Sequence, residues 1–144
     1  MDVKRLGVGT LAGGITVYAL GWVIFQKAFA PFYAANVGSA TGVDRTDRII
    51  WAMALGALAY GALITYAMTV RTGGPISVIA GAKAGAIVGL LLWGTTDMIF
   101  YGSTNISNMN VAIVDPLLEG VRAGVTGAVI ASVLSRVPGG AGGA

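Results

Sequence analysis

The chain contains no cysteine and no histidine, and only 10% of its residues are charged, against about 25% in an ordinary soluble domain. The two missing residue types exclude disulfides, thiol nucleophiles, Cys/His zinc sites, His-ligated haem and every catalytic dyad or triad built on them. The scarcity of charge excludes more, because there is too little polar surface here to clothe a water-soluble globule. The net charge of +3 is small and scattered, which gives no footprint for nucleic acid. The glycine-rich stretches hold neither a Walker lysine motif nor a strand-flanked dinucleotide fingerprint. What remains is carboxylate, hydroxyl, amide, Lys and Arg chemistry, and no catalytic residue, metal or cofactor is expected from it.

Against those absences stand 144 residues that are 56% hydrophobic, with 23 glycines and a mean hydropathy of +0.79. Uncharged or nearly uncharged runs of bilayer length read as membrane spans, since about 20 residues of helix cross the ~30 Å hydrocarbon core. Four are expected, at 6–26, 49–70, 76–101 and 111–135, making an all-α bundle that is one domain over 1–137. A Gly-rich flexible tail is expected at 138–144. The basic leader Lys4-Arg5 resembles that of a signal peptide, but the apolar run is too long for one and Pro31 follows the Ala28-x-Ala30 site directly. It is read as an uncleaved signal-anchor. The segment 27–48 reads as one long loop, with Phe29, Phe32 and Tyr33 suited to an interfacial belt. Gly73-Gly74-Pro75 breaks the chain between the second and third spans.

Short connectors imply antiparallel neighbours and an up-down topology, with both termini on one side. That side carries Lys4, Arg5, Arg71, Lys83 and Arg136, the other Lys27, Arg45 and Arg48, so the positive-inside rule places the termini in the cytoplasm. Lipid supplies no hydrophobic drive between helices, so small residues must let backbones approach. Gly9 and Gly13, then Gly81, Gly85 and Gly89, then Gly120 and Gly124 recur at that spacing. They serve either packing inside one monomer or a homodimer or larger membrane complex.

Five residues do not belong in oil: Lys83, Asp97, Asp115, Glu119 and Arg122. An ionised residue at a helix centre costs about 2.5–3.5 kcal/mol on translocon scales. Asp115, Glu119 and Arg122 follow i, i+4, i+7 spacing, within about 60° of one another, and form one polar stripe that must face protein. Asp97, near the end of the third span, should lie at the depth of Asp115, near the start of the fourth. A polar pocket is therefore expected there, with Gln26, Thr95, Thr96, Asn105 and Asn108 near the same end and Trp22, Trp93 and Tyr101 as walls. Such a pocket suits a small polar or cationic solute, one carboxylate exchanging a proton while Arg122 neutralises another. The competing reading is structural: a Glu119–Arg122 ion pair, with Asp115 as the N-cap of a helix whose first residue is Pro116. Lys83 is expected to snorkel to the interface. The Asn105-Ile106-Ser107 sequon is too common a triplet to carry weight.

Leu20-Gly21-Trp22, the run Ala30-Pro31-Phe32-Tyr33-Ala34-Ala35-Asn36-Val37-Gly38, the stretch from Gly85 to Gly89, Tyr101-Gly102-Ser103-Thr104-Asn105 and Val114-Asp115 together resemble a family. It is the small bacterial membrane proteins catalogued as domain of unknown function 2177. The likeness is a set of scattered short matches over most of 15–135. Asn105 and Asp115 carry over directly, whereas the first span lacks the family's acidic residue and Gly102 stands where the family has an aspartate. The resemblance implies four helices in a bacterial inner membrane and no particular activity. Three functions are then in play: the solute-binding membrane protein; a non-catalytic accessory subunit docking through its glycine faces; and a lipid-active enzyme using the carboxylates as acid and base, which no residue pattern selects.

Overall fold

A computed structural model describes residues 2–71 and 76–138. Among them are five α-helices: α1 (Val3–Val23), α2 (Ala30–Ala35), α3 (Ile50–Arg71), α4 (Val78–Ser103) and α5 (Met109–Leu134). Four stretches, Val3–Ala28, Ile50–Val70, Val78–Ser103 and Met109–Leu134, are long and apolar enough to cross a membrane. The chain is thus an all-α bundle of four candidate spans, the architecture of a multi-pass membrane protein. The breaker at 73–75 and the tail from 139 onward lie outside the described residues.

The helix starts have local causes. The Asp2 carboxylate accepts from the backbone N–H of Lys4 at 2.9 Å and of Arg5 at 3.3 Å, so α1 begins three residues earlier than hydropathy alone suggests. Ser77 accepts from Ala80 N–H at 3.2 Å, and Asn108 from Asn110 and Val111 at 3.0 and 3.2 Å. Each satisfies donors that a helix N-terminus leaves without an intrahelical partner. Two expectations are corrected here. Asn108, not Asp115, caps α5, and Asp115 and Pro116 lie inside the helix. Pro116 therefore costs the Ala112 carbonyl its i+4 donor. Nor is 27–48 all loop: α1 continues into a π-helical turn, Ile24–Ala28, closed by Phe29 N–H on the Ile24 carbonyl at 2.8 Å, and α2 follows with Pro31 in its first turn.

The bundle is uneven. α4 packs along α5 and α1 along α3, and α1 meets α5 to join the two pairs, whereas α3 barely touches α4. Arg5 Nη1 donates to the Val137 carbonyl at 2.9 Å, which holds the two chain ends together at one end of the bundle. At the far end the two connectors are stitched by an isolated bridge, Val37 with Ser107. Gly38 N–H donates to Ile106 O at 2.9 Å and Ala40 N–H to Asn105 O at 3.0 Å.

The α4–α5 contact runs backbone against backbone. A Cβ at Gly81 would meet the Gly127 carbonyl oxygen at 2.5 Å, one at Gly85 would overlap the Ala123 carbonyl, and one at Gly89 would stand 2.5 Å from the Glu119 carbonyl oxygen. Gly120 faces Leu90 Cγ at 2.8 Å, and Gly124 faces Ala82 O and Ala86 Cβ at 3.4 Å. Gly13 and Gly14 of α1 meet Gly61 and Leu58 of α3 in the same manner. Half of α5's most apolar window is buried, against 17% for α4, so α5 is the central helix and its polar stripe faces protein.

Candidate functional site

The polar residues gather in the half of the bundle next to the stitched connectors. Asp97 and Asp115 are each 8% exposed and Glu119 1%. Asp97 of α4 lies beside Asp115 of α5, the similar depth that their places on antiparallel helices require. α2 covers the pair from the connector side, and the Tyr33 hydroxyl donates to the Asp115 carboxylate. Burial, and next that hydrogen bond, push the Tyr33 hydroxyl well above its ordinary value of 10.0, because ionising it would set a second anion against Asp115 in a poorly solvated place. Asn36, just past α2, accepts from Asn108 Nδ2 at 3.0 Å and Asn110 Nδ2 at 2.8 Å, anchoring α2 to the start of α5.

Three residues deeper than Glu119 sits Arg122, near the middle of α5. Its guanidinium donates to the Glu119 carboxylate and, through Nε, to the Val17 carbonyl of α1 at 3.1 Å. It also stands 5.4 Å from the centre of the Phe25 ring and 5.7 Å from that of Tyr60, within cation–π reach. Gly21 makes room for it, since a Cβ there would lie 3.2 Å from Arg122 Cζ. The Tyr60 hydroxyl of α3 lies near both Glu119 and Trp93 of α4. Among the described residues four buried polar atoms have no partner at full hydrogen-bond geometry: Asp97 Oδ2, Glu119 Oε2, Tyr60 Oη and Trp93 Nε1. All four belong to this one network. No group of three or more acids converges as a metal site would require among the described residues.

Where α3 stands off α4, a cleft of about 760 Å³ opens, lined by Trp22, Phe25, Tyr60 and Trp93 with Arg122 and Arg48 among its walls. No acid lines it. Two separate compartments thus stand where a single acid-walled pocket was expected: a sealed carboxylate network and an aromatic, acid-free cleft. Arg122 borders both. Trp22 and Trp93 line the aromatic cleft and not an acid-walled pocket, and Tyr101 is 41% exposed on the outer surface. Asn105 has an exposed side chain, and only its backbone carbonyl is engaged, by Ala40. Thr95 and Thr96 bond back to the Leu91 and Leu92 carbonyls of their own helix. Lys83 is exposed.

Sequence reasoning missed Tyr33, Tyr60 and Asn36 as members of the network. For Tyr33 a signal existed, a proline two residues before a polar aromatic, but six residues are too few to show a period. Tyr60 lies in an uncharged run where a tyrosine looks like core. No protein-family profile, curated protein or solved structure matches the chain.

Proposed function

We propose that this is a bacterial inner-membrane protein, with both termini cytoplasmic, that binds or passes a small cationic solute at the Asp97/Asp115/Glu119/Arg122 network. The observation that carries the reading is the buried juxtaposition of Asp97 with Asp115, where among the described residues neither Asp97 Oδ2 nor Glu119 Oε2 has a donor at full hydrogen-bond geometry. Leaving such an atom unmet costs about 1–3 kcal/mol, more for a charged group. The network holds three carboxylates and one guanidinium, which pairs with Glu119, so ionised they leave two negative charges over in a low-dielectric surrounding. A bound cation or proton offsets that surplus. The carboxylates are buried and do not line the aromatic cleft, which favours the proton, the smallest such solute. The reading of a bacterial inner membrane rests on the family resemblance and the orientation on the Lys/Arg bias.

Proteoliposomes with a pH-sensitive dye inside and an imposed diffusion potential test this. Proton entry is expected above that of empty liposomes, and is expected to be lost in Asp97→Asn and Glu119→Gln. An infrared carbonyl band from protonated carboxyl groups should weaken in the same variants. Flux equal to empty liposomes, with the carbonyl region unchanged by either substitution, would sink the proposal. The accessory-subunit reading has less support, because the glycines from Gly81 to Gly124 that would serve as its docking faces already meet other helices of the same monomer.

A further inference from the structure

The cleft between α1, α3 and α4 has a chemistry of its own: Arg48 stands on its rim, and Lys27 lies beside it, over the lining residue Trp22, each held by a neutral partner. Arg48 Nη2 donates to Gln26 Oε1 at 3.0 Å, and Lys27 Nζ stands 4.8 Å from the centre of the Trp22 ring. Neither is ion-paired with an acid among the described residues. Below the rim the walls are aromatic and aliphatic apart from Arg122, without a single carboxylate. The volume of about 760 Å³ falls in the ~300–1,000 Å³ range of small-molecule sites. The cleft lies along the seam where α3 and α4 scarcely touch, and both helices are candidate membrane spans, so the medium at that seam is lipid. The rim sits at the ends of α1 and α3, the depth at which Lys, Arg and Trp meet headgroups.

An apolar slot open to the bilayer, two unneutralised cations at headgroup depth and no acid in its lining complement an acyl chain bearing an anionic phosphate. We infer that the cleft is a binding site for one anionic phospholipid, an acyl chain lying between α3 and α4 and the phosphate at Lys27 and Arg48. This goes beyond the carboxylate network: the two share the walls Tyr60, Trp93 and Arg122, but Lys27, Arg48 and Gly56 belong to the cleft side alone. A zwitterionic lipid offers the same chain with its phosphate offset by an ammonium, so headgroup selectivity is the signature. Gly56 gives a means of blocking the slot, because it lines the cleft and nothing lies within 4 Å of where its Cβ would be. A leucine there starts from a Cβ with open space around it at a position that lines the cleft.

The experiment is native mass spectrometry of the detergent-purified full chain, with phosphatidylglycerol or phosphatidylcholine of matched acyl chains added. One phosphatidylglycerol per chain is expected to be retained in preference to phosphatidylcholine. The double variant Lys27→Ala/Arg48→Ala should weaken that retention about 30-fold, at about fivefold for each basic residue near the headgroup, and Lys27→Arg/Arg48→Lys should keep it. Gly56→Leu should abolish retention while leaving the circular dichroism and thermal unfolding of the parent. Equal retention of both lipids, or phosphatidylglycerol held undiminished by Gly56→Leu, overturns the proposal. So does inorganic phosphate raising the unfolding temperature as much as phosphatidylglycerol does, which would make the ligand a free anion and not a lipid.

Discussion

The α4–α5 and α3–α4 seams join consecutive spans by short connectors, yet one is closed to backbone contact and the other stands open. The difference lies in where the small residues point. Gly81, Gly85 and Gly89 of α4 face the Gly127, Ala123 and Glu119 carbonyls of α5, and without a hydrophobic drive in lipid such close approach is what holds helices together. The residues α4 turns towards α3 include Leu92 and Trp93, and α3 answers with Gly56, which has open space before it. A short connector makes two helices antiparallel neighbours in sequence, but complementary surfaces decide whether they pack. The tight seam is scaffold; the open one leaves a cleft.

The comparison can be broken first at the residue that borders both compartments. Arg122→Ala removes the partner of Glu119, the bond to the Val17 carbonyl and two ring contacts, and is expected to destabilise by about 3–5 kcal/mol, the usual cost of orphaning a buried charge. Thermal unfolding in mild detergent measures it. Next, Gly85→Leu drives a side chain into the Ala123 carbonyl and should lower stability by about 1–3 kcal/mol or more, as overpacking does. Expression with gel-filtration homogeneity is the second readout.

A smaller effect is expected at the cover of the network. Tyr33→Phe deletes the hydrogen bond to Asp115, worth about 1.5–3 kcal/mol for a charged acceptor before the half-exposed position reduces it. This difference carries a pH signature. The hydroxyl ionises near its ordinary value of 10.0 in the unfolded chain but only well above it when folded. Its contribution is therefore fully present below about pH 10 and is lost as pH rises towards the folded value. The stability gap between parent and variant should be flat from neutral pH to about 10 and narrow above it; a gap that is constant throughout would show that the hydroxyl is not shielded. Last, Gly56→Leu on the open seam should change stability by no more than about 0.5 kcal/mol. A loss equal to that of Gly85→Leu would mean that the two seams are packed alike.

Much of this was legible along the chain. Four spans follow from run length against bilayer thickness, and the single stripe of Asp115, Glu119 and Arg122 follows from the helical period, because charges in oil must share one protein-facing side. The span at 111–135 lies within two residues of α5, and it is the competing reading, with Asp115 as the cap before Pro116, that fails, since proline is tolerated inside a helix at the cost of one backbone hydrogen bond. Asn108, whose side chain takes the N–H groups of Asn110 and Val111, carried the same capping chemistry as Asp115 and was passed over for want of hydropathy around it. Tyr33 and Tyr60 were out of reach for a different reason: they join α5 from α2 and α3, and no period within one helix encodes a partner on another.

Composition and period by themselves determined that this chain is a bundle of four helices suited to a membrane and that its ionisable residues turn inwards, because lipid tolerates neither open backbone nor unpaired charge. Only the tertiary structure decided that the carboxylates are sealed beneath α2 while Arg122 reaches the aromatic cleft, and that α3 stands apart from α4. Those outcomes depend on which helix faces meet, and that is settled by backbone approach at particular glycines and by contacts between residues as far apart as Val17 and Arg122.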